Sequence, residues 1–299
     1  MTDAHQRLSR LYALLAMVLL QAMPMPALGA PDRPRGHLLI IGGGERGPEI
    51  MSRFAELAGG PRARVVVFAM ASSLADAGAS IEKELLALGL GEVRVLALSR
   101  AEADGDAALA ALEGVTAVYF GGGDQSRLTA ALAGSRVEAR LHELYARGAV
   151  LGGTSAGAAV MTRVMITGDE RRPRSKDEAF QIIEAENVVT ARGFGFLEGA
   201  IVDQHFVRRR RGNRLLSAVI ENRELLGIGI DEETAIWVKP GRTFEVLGAG
   251  PVLVYDAGKG EIGPKAPDHG LRASGLALHV LRRGSVYDLA GRRVIRLGP

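Results

Sequence analysis

The stretch Ala149-Val-Leu-Gly152, followed directly by Gly153-Thr-Ser-Ala-Gly157, predicts a strand that turns sharply into a helix. Its strand part is short, apolar on both faces and closed by glycine. The same design recurs in four earlier runs, at residues 37–41, 64–69, 93–98 and 117–120. Runs of this kind are typical of a parallel sheet that is covered on both sides.

Stretches with helical spacing separate these runs, at residues 49–57, 80–88, 126–132 and 137–145. The alternation predicts an α/β fold with a doubly wound, mostly parallel sheet sandwiched by helices. From about Leu225 onward, short strands with glycine-rich turns predict antiparallel C-terminal strands added to the same sheet. In such folds ligands bind outside the carboxyl ends of the strands, where this chain has glycine-rich loops.

The composition excludes several classes of protein. A chain of 299 residues with 47% hydrophobic and 24% charged residues can bury a large core and is not disordered. The absence of cysteine excludes a disulfide scaffold, a thiolate nucleophile and a cysteine-based metal site. The glycine run Gly42-Gly-Gly44 lacks the spacing of a dinucleotide loop. We predict neither a cofactor nor a metal.

The first thirty residues have the pattern of a secretory signal peptide. Arg7 and Arg10 precede an uncharged stretch at residues 11–23, and small residues follow up to Ala30. Cleavage is expected after Gly29 or Ala30. We therefore expect a signal peptide at residues 1–30, a single domain at residues 31–299, and a secreted or periplasmic protein. No later run is long and apolar enough to form a stable membrane anchor.

Ser155 is the candidate nucleophile. It is the central residue of a G-x-S-x-G motif between a predicted strand and a predicted helix at residues 156–164, the context in which this motif is meaningful. The backbone N–H of Ala156 is one candidate oxyanion donor, and the neighbouring glycine loop, at Gly123, is the second. The alternative is a serine that merely caps the helix.

A nucleophilic serine needs a base and an orienting carboxylate. His205, in Asp203-Gln204-His205-Phe206, follows an apolar run and is the candidate base. Glu232, in Gly229-Ile-Asp-Glu232, ends another apolar run and is the favoured third residue. Glu170 is the alternative, together with Asp169, in the long polar loop at residues 167–187.

Five arginines follow the candidate base closely, at positions 208, 209, 210, 211 and 214. They are interpreted in three ways: a solvated basic helix face, a nucleic-acid patch, or a site for substrate carboxylates. Aromatic residues for base stacking are scarce nearby, so we expect no nucleic acid. On a helix, Arg211 and Arg214 would share one face, and Arg208 and Arg210 would point elsewhere.

These motifs, together with Gly121-Gly-Gly-Asp-Gln125, resemble those of the cyanophycinases in the same order. The resemblance runs from about His37 to Val238. Members of that family are serine peptidases related to aspartyl dipeptidase. The resemblance implies an α/β sandwich, frequent homodimers, and exopeptidase-type hydrolysis of cyanophycin. This polymer has a poly-aspartate backbone with arginine on each side-chain carboxyl, and the products are β-Asp-Arg dipeptides.

Carried over by motif, Ser155 is the nucleophile, His205 the base and Glu232 the third residue. The resemblance also places six residues in the substrate pocket: Gln125, Asp203, Gln204, Arg209, Arg211 and Arg214. The signal peptide and the expanded loop at residues 169–187 depart from the commoner family pattern. Two other functions stay open: a dipeptidase acting on small Asp-Xaa peptides, and a non-catalytic, amidotransferase-like ligand-binding domain.

Overall fold

The structure is a computed structural model that describes residues 34–172 and 180–299. The predicted signal peptide and its cleavage site lie outside the described residues, as does the middle of the expanded loop. In the described part the α-helices are α1 Pro48–Ala58, α2 Ala77–Ala87, α3 Asp106–Ala110, α4 Gln125–Leu132, α5 Arg136–Arg147, α6 Ala156–Ala159 and α7 Gly212–Glu221.

The strands of the described residues are β1 His37–Ile41, β2 Arg64–Phe68, β3 Glu92–Leu96, β4 Ala117–Phe120, β5 Val150–Thr154, β6 Val164–Glu170, β7 Val188–Arg192, β8 Ala200–Gln204, β9 Leu226–Ile230, β10 Thr234–Val238, β11 Thr243–Gly248, β12 Val252–Asp256, β13 Glu261–Ile262, β14 Ala273–Ser274, β15 Ala277–Leu281, β16 Val286–Asp288 and β17 Arg293–Arg296.

A large sheet of nine described strands has the order β17-β16-β11-β10-β1-β5-β4-β2-β3. One half of this sheet is parallel and consists of β1, β5, β4, β2 and β3. The other half is antiparallel: it consists of β10, β11, β16 and β17 and joins β1 through β10. Leu38 and Ile40 pack into one apolar cluster, and Leu39 and Ile41 pack into another on the opposite face. Alternate residues of a strand point to opposite faces. The continuous apolar run of β1 is therefore explained by a sheet covered on both sides.

Helices cover both faces of this sheet, which confirms the predicted α/β fold. The apolar residues of α1 and α2 pack in the cluster on one face. Those of α4 and α5 pack in the cluster on the other. The described chain from Pro34 onward forms one compact unit. In this part of the chain, no helix is long and apolar enough to cross a membrane.

The expectation of one sheet was wrong for three C-terminal strands. β9, β12 and β15 form a separate small sheet with β8, in the order β15-β12-β9-β8. One face of it, including Ile228 and Ile230, packs in the same cluster as the large sheet. The other face is covered by α7, where Gly227 and Gly229 leave room for Leu215, Val219 and Phe206. Strand pairing is non-local, so the strand pattern in the sequence does not choose between two sheets.

The chain passes from the small sheet to the large one between β9 and β10. β9 is paired with β8 and β12, whereas β10 is paired with β1 and β11. The three acids Asp231, Glu232 and Glu233 occupy this crossing. The carboxyl ends of β5 and β8 approach the same place, and the candidate site therefore lies where the two sheets meet.

Candidate active site

Ser155 occupies a strained turn between β5 and α6. Its backbone has φ 54° and ψ −112°, a conformation that non-glycine residues seldom adopt. Small neighbours are required, because a methyl group on Gly153 would overlap the Gly157 carbonyl and one on Gly157 would overlap that of Phe120. The glycines of the motif are thus explained by close backbone approaches on both sides of the serine.

The helix after Ser155 is shorter than expected. The sequence predicts residues 156–164, but α6 ends at Ala159. The carbonyls of Val160 and Met161 instead accept the N–H groups of Phe194 and Leu197, and β6 begins at Val164. Backbone pairing with a distant segment replaces the remaining helical hydrogen bonds.

Ser155, His205 and Glu232 form a continuous chain of hydrogen bonds. Ser155 Oγ lies 2.8 Å from His205 Nε2, and His205 Nδ1 lies 2.6 Å from Glu232 Oε1. With the proton on Nδ1, His205 donates to Glu232 and can accept the Ser155 proton. The His205 side chain is 8% exposed and that of Glu232 is 27% exposed. The three side chains are therefore arranged in the order that a nucleophile, a base and an orienting carboxylate take in acyl transfer.

The electrostatic environment favours the neutral form of His205. Burial lowers the pKa of His205, the hydrogen bond with Glu232 opposes this change, and the charges of Arg209 and Arg211 reinforce it. The same hydrogen bond lowers the pKa of Glu232. A neutral imidazole beside an ionised carboxylate is the state in which a histidine acts as a general base.

The alternative carboxylates belong to the β6–β7 hairpin. Glu170 Oε1 accepts the N–H of Phe180 and the side-chain amide of Asn187. Asp169 contacts Thr167. Neither side chain contacts His205 among the described hydrogen bonds and ion pairs, and Glu232 is the carboxylate that the fold places at the imidazole.

A buried ion pair lies directly before His205. Asp203 and Arg214 are 1% and 3% exposed, and Arg214 donates from two nitrogens, with Nε 2.7 Å from Asp203 Oδ2. Arg211 approaches the same carboxylate at 3.5 Å and donates to the side-chain and backbone oxygens of Gln204. Burial, with the neighbouring Arg214, lowers the pKa of Arg211 to about 10. Asp203 is thus engaged with cations of the protein itself.

The basic run is a turn and not the helix face that the spacing suggested. Residues 207–211 form turns, and α7 begins only at Gly212. Arg211 and Arg214 nevertheless converge on Asp203, while Arg208, Arg209 and Arg210 are exposed. Within the described residues, the Arg209 guanidinium has no hydrogen bond or ion pair. It is available to an anionic ligand.

The predicted residues Gln125 and Gly123 lie on or next to the glycine loop at residues 121–123. Gln125 is buried, and its amide donates to the carbonyls of Ile166 and Thr167. In the loop it is Gly122 that faces the nucleophile, since a Cβ there would lie 3.4 Å from that of Ser155. A methyl group on Gly123 would instead meet the Ala71 carbonyl. Gly122 therefore lies against Ser155, and the role of Gly123 as an oxyanion donor stays a prediction.

Asp231 is a residue of the site that the sequence reasoning missed. Its Oδ1 accepts the N–H groups of Val207 and Arg208, at 3.1 and 2.9 Å, and so caps the arginine turn. The signal was present in the run of acids at positions 231–233, of which only the second was assigned. The course of the backbone between β9 and β10 decides which acid faces His205 and which caps the turn.

The chain is similar to known peptidases. Residues 38–246 match Peptidase family S51. The "Cyanophycinase" of Geminocystis herdmanii (strain PCC 6308) is 36% identical over 269 residues, which cover 85% of this chain and 94% of that protein. The "Cyanophycinase" of Synechococcus elongatus is 34% identical over 275 residues, covering 87% of this chain and 81% of that protein.

The fold and these matches define a hydrolase of the serine-peptidase class. The chain belongs to peptidase family S51. The resemblance drawn from the motifs is thereby confirmed at the level of the family.

One solved structure supports the fold. A crystal structure of a peptidase from an acI-B1 Actinobacterium superposes with a TM-score of 0.61, covering 86% of this chain and 98% of that one. The two chains are 22% identical. At that distance the similarity concerns the α/β architecture alone.

Proposed function

We propose that the protein is a serine exopeptidase that hydrolyses cyanophycin to β-Asp-Arg dipeptides. The observation that carries this function is the hydrogen-bond chain from Ser155 through His205 to Glu232, followed directly by an arginine-rich turn. The substrate follows from relatives named cyanophycinase that are 34–36% identical over most of the chain.

The reaction begins with attack of Ser155 Oγ on the scissile carbonyl carbon, while its proton moves to His205 Nε2. Glu232 holds the imidazole in the required tautomer and stabilises the imidazolium that forms. Collapse of the tetrahedral intermediate breaks the peptide bond, and His205 returns the proton to the leaving amine. Water, deprotonated by His205, then hydrolyses the acyl-enzyme and regenerates Ser155.

The oxyanion is bound by backbone N–H groups. The Ala156 N–H lies at the start of α6, directly after the nucleophile. The second donor comes from the Gly122–Gly123 segment, because Gly122 lies against Ser155. Donors fixed in place before the reaction stabilise the developing charge without reorganisation.

Aspartate carboxylates of the substrate are recognised by the arginine turn. Arg209 is exposed, and Arg211 is held beside Gln204 near His205. A guanidinium binds a carboxylate through two parallel hydrogen bonds. Asp203 and Arg214 neutralise each other beneath these residues, so their part is to support Arg211 and Gln204. Gln125 has a similar part, because its amide holds β6 beside the site.

The location of the protein and its partners are part of the proposal. The signal-peptide pattern of residues 1–30 supports secretion to the periplasm or the exterior. There the protein would act on external cyanophycin. We further propose a homodimer, by analogy with the family, and no nucleic-acid partner.

The decisive experiment compares three proteins on insoluble cyanophycin, with the soluble products identified by mass. They are the wild type, Ser155→Ala and the control Ser52→Ala, which changes an exposed serine on α1. We expect Asp-Arg dipeptide from the wild type and the control alone. Equal release by Ser155→Ala would overturn the choice of nucleophile.

Two further outcomes separate the alternatives. Hydrolysis of free Asp-Xaa dipeptides without release from the polymer would indicate the dipeptidase. A wild type inactive on both substrates and unreactive with a fluorophosphonate would indicate the non-catalytic ligand-binding domain.

A further inference from the structure

Three successive carbonyls at the end of β1 contact the three segments that carry the site. Ile41 O accepts the N–H of Ser155 at 3.1 Å, Gly42 O that of His205 at 2.7 Å, and Gly43 O that of Glu233 at 2.9 Å. These three donors lie on the β5–α6 turn, after β8 and after β9. A single short stretch of backbone therefore connects segments from both sheets.

The three donors share an unusual backbone conformation. Ser155, His205 and Glu233 have φ values of 54°, 49° and 56°, although none is glycine. Left-handed conformations at such residues persist only when the surrounding structure holds them. Consecutive carbonyls of β1 and its loop accept the N–H group at each of the three positions and supply that constraint.

The loop also fits closely against the base and its carboxylate. Gly43 has φ 108°, and a Cβ there would lie 2.5 Å from His205 Nε2, the atom that faces Ser155. Gly44 has φ 71°, and a Cβ there would lie 2.9 Å from that of Glu232. Glycine at these two positions lets the backbone approach the imidazole and the carboxylate.

The far end of the loop is anchored by a charged side chain. Arg46 donates to Glu84 of α2, and to the hydroxyl of Tyr119 of β4 at 3.4 Å. Tyr119 is fully buried, and Arg46 is 23% exposed. The loop is thus held at one end by β1 and at the other by an ion pair with α2 and a hydrogen bond to β4.

This geometry also differs from that of a phosphate-binding loop. Such loops direct several backbone N–H groups at the anion. Here the carbonyls are directed at Ser155, His205 and Glu233, and the N–H of Gly42 donates to Thr234. The glycine run therefore does not have the geometry of an anion-binding loop.

We propose that residues 41–44, here called the glycine tie, are positioning residues that hold nucleophile, base and carboxylate in register across the two sheets. The inference rests on the proposed function, because it takes Ser155, His205 and Glu232 as the catalytic residues. The tie acts through these residues.

The first test is Gly43→Ala, whose methyl group would push the imidazole away from Ser155. The matched control is Gly148→Ala, because Gly148 has φ 117° and open space around it, so it carries the backbone strain alone. Gly47→Ala, also in open space, controls for a change just after the tie. We expect kcat on cyanophycin to fall by about 10²-fold in Gly43→Ala, since a misplacement near 1 Å has this effect. KM should stay within about twofold, because the arginine turn is untouched.

A fall in kcat no larger than that of Gly148→Ala would overturn the inference, as would a change confined to KM. Circular dichroism and thermal melts establish that each variant is folded. If Gly43→Ala does not fold, Arg46→Ala decides, because it leaves the tie intact and removes only its anchor. Arg46→Ala should lower kcat several-fold, and Arg46→Lys should recover part of that loss. Equal kcat in the wild type, Arg46→Ala and Arg46→Lys would overturn the inference.

The rate of fluorophosphonate labelling at Ser155 separates this inference from the proposed function. A wild type that is labelled but does not degrade cyanophycin would contradict the substrate. The tie would still be tested by the labelling rate of Gly43→Ala against Gly148→Ala. Equal labelling rates in those two variants would contradict the tie, whatever the substrate.

Discussion

Ser155 and His205, the proposed nucleophile and base, are held in place in different ways. Ser155 follows a strand of the large sheet, and its turn is shaped by apolar packing and by glycines that touch backbone. His205 follows a strand of the small sheet and lies among charges, namely Glu232, Arg209 and Arg211. The position of Ser155 depends on steric fit, whereas His205 is also surrounded by charges that shift its pKa. We therefore expect changes of charge and of pH to act mainly on the segment around His205.

The largest effect is expected from removing the base. His205→Ala should lower kcat by at least about 10³-fold, because the serine then has no proton acceptor, and Glu232→Gln should follow with a smaller loss. Steady-state kinetics on cyanophycin measures both. His279→Ala on β15 is the control and should keep wild-type rates. A loss below tenfold in His205→Ala would show that another group serves as the base.

The next effect concerns stability and compares the buried ion pair with an exposed one. Asp203→Ala leaves Arg214 buried without its partner, which should cost about 3–5 kcal/mol. Glu56→Ala breaks the exposed pair with Arg53 and should cost at most about 1 kcal/mol. Urea unfolding of the two variants measures the difference. Similar losses would mean that the pair beneath the arginine turn is not a structural support.

The smallest effect is a shift of the pH profile. The neutral imidazole is the active form, so a lowered pKa of His205 keeps activity at more acid pH. The acid limb of kcat/KM should therefore have its midpoint below 6.5, the ordinary value for histidine. Arg209→Ala removes a positive charge that lowers this pKa and should move the limb upward. Glu232→Gln removes a hydrogen bond that raises it and should move the limb downward.

Rates measured from pH 4 to 8 at constant ionic strength test these directions. Arg127→Ala, on an exposed residue of α4, is the matched control and should leave the midpoint unchanged. A wild-type midpoint above 6.5, or a downward shift in Arg209→Ala, would contradict the electrostatic description of the segment around His205.

The sequence alone determined those features that depend on neighbouring residues. The G-x-S-x-G turn, the individual buried strands of the parallel half and the position of His205 after an apolar strand were all predicted, because each is encoded within about ten residues. Burial on both faces follows from the continuous apolar runs. Glu232 was favoured for a local reason as well, since acids directly follow β9.

The tertiary structure decided which distant segments meet. It divided the C-terminal strands between two sheets, ended the helix after Ser155 at Ala159, and placed Gly122 at the nucleophile. It also put Glu232, and not Glu170, at His205. Strand pairing and side-chain packing join residues far apart in the chain, and their energies depend on the assembled fold, so no local pattern contains them.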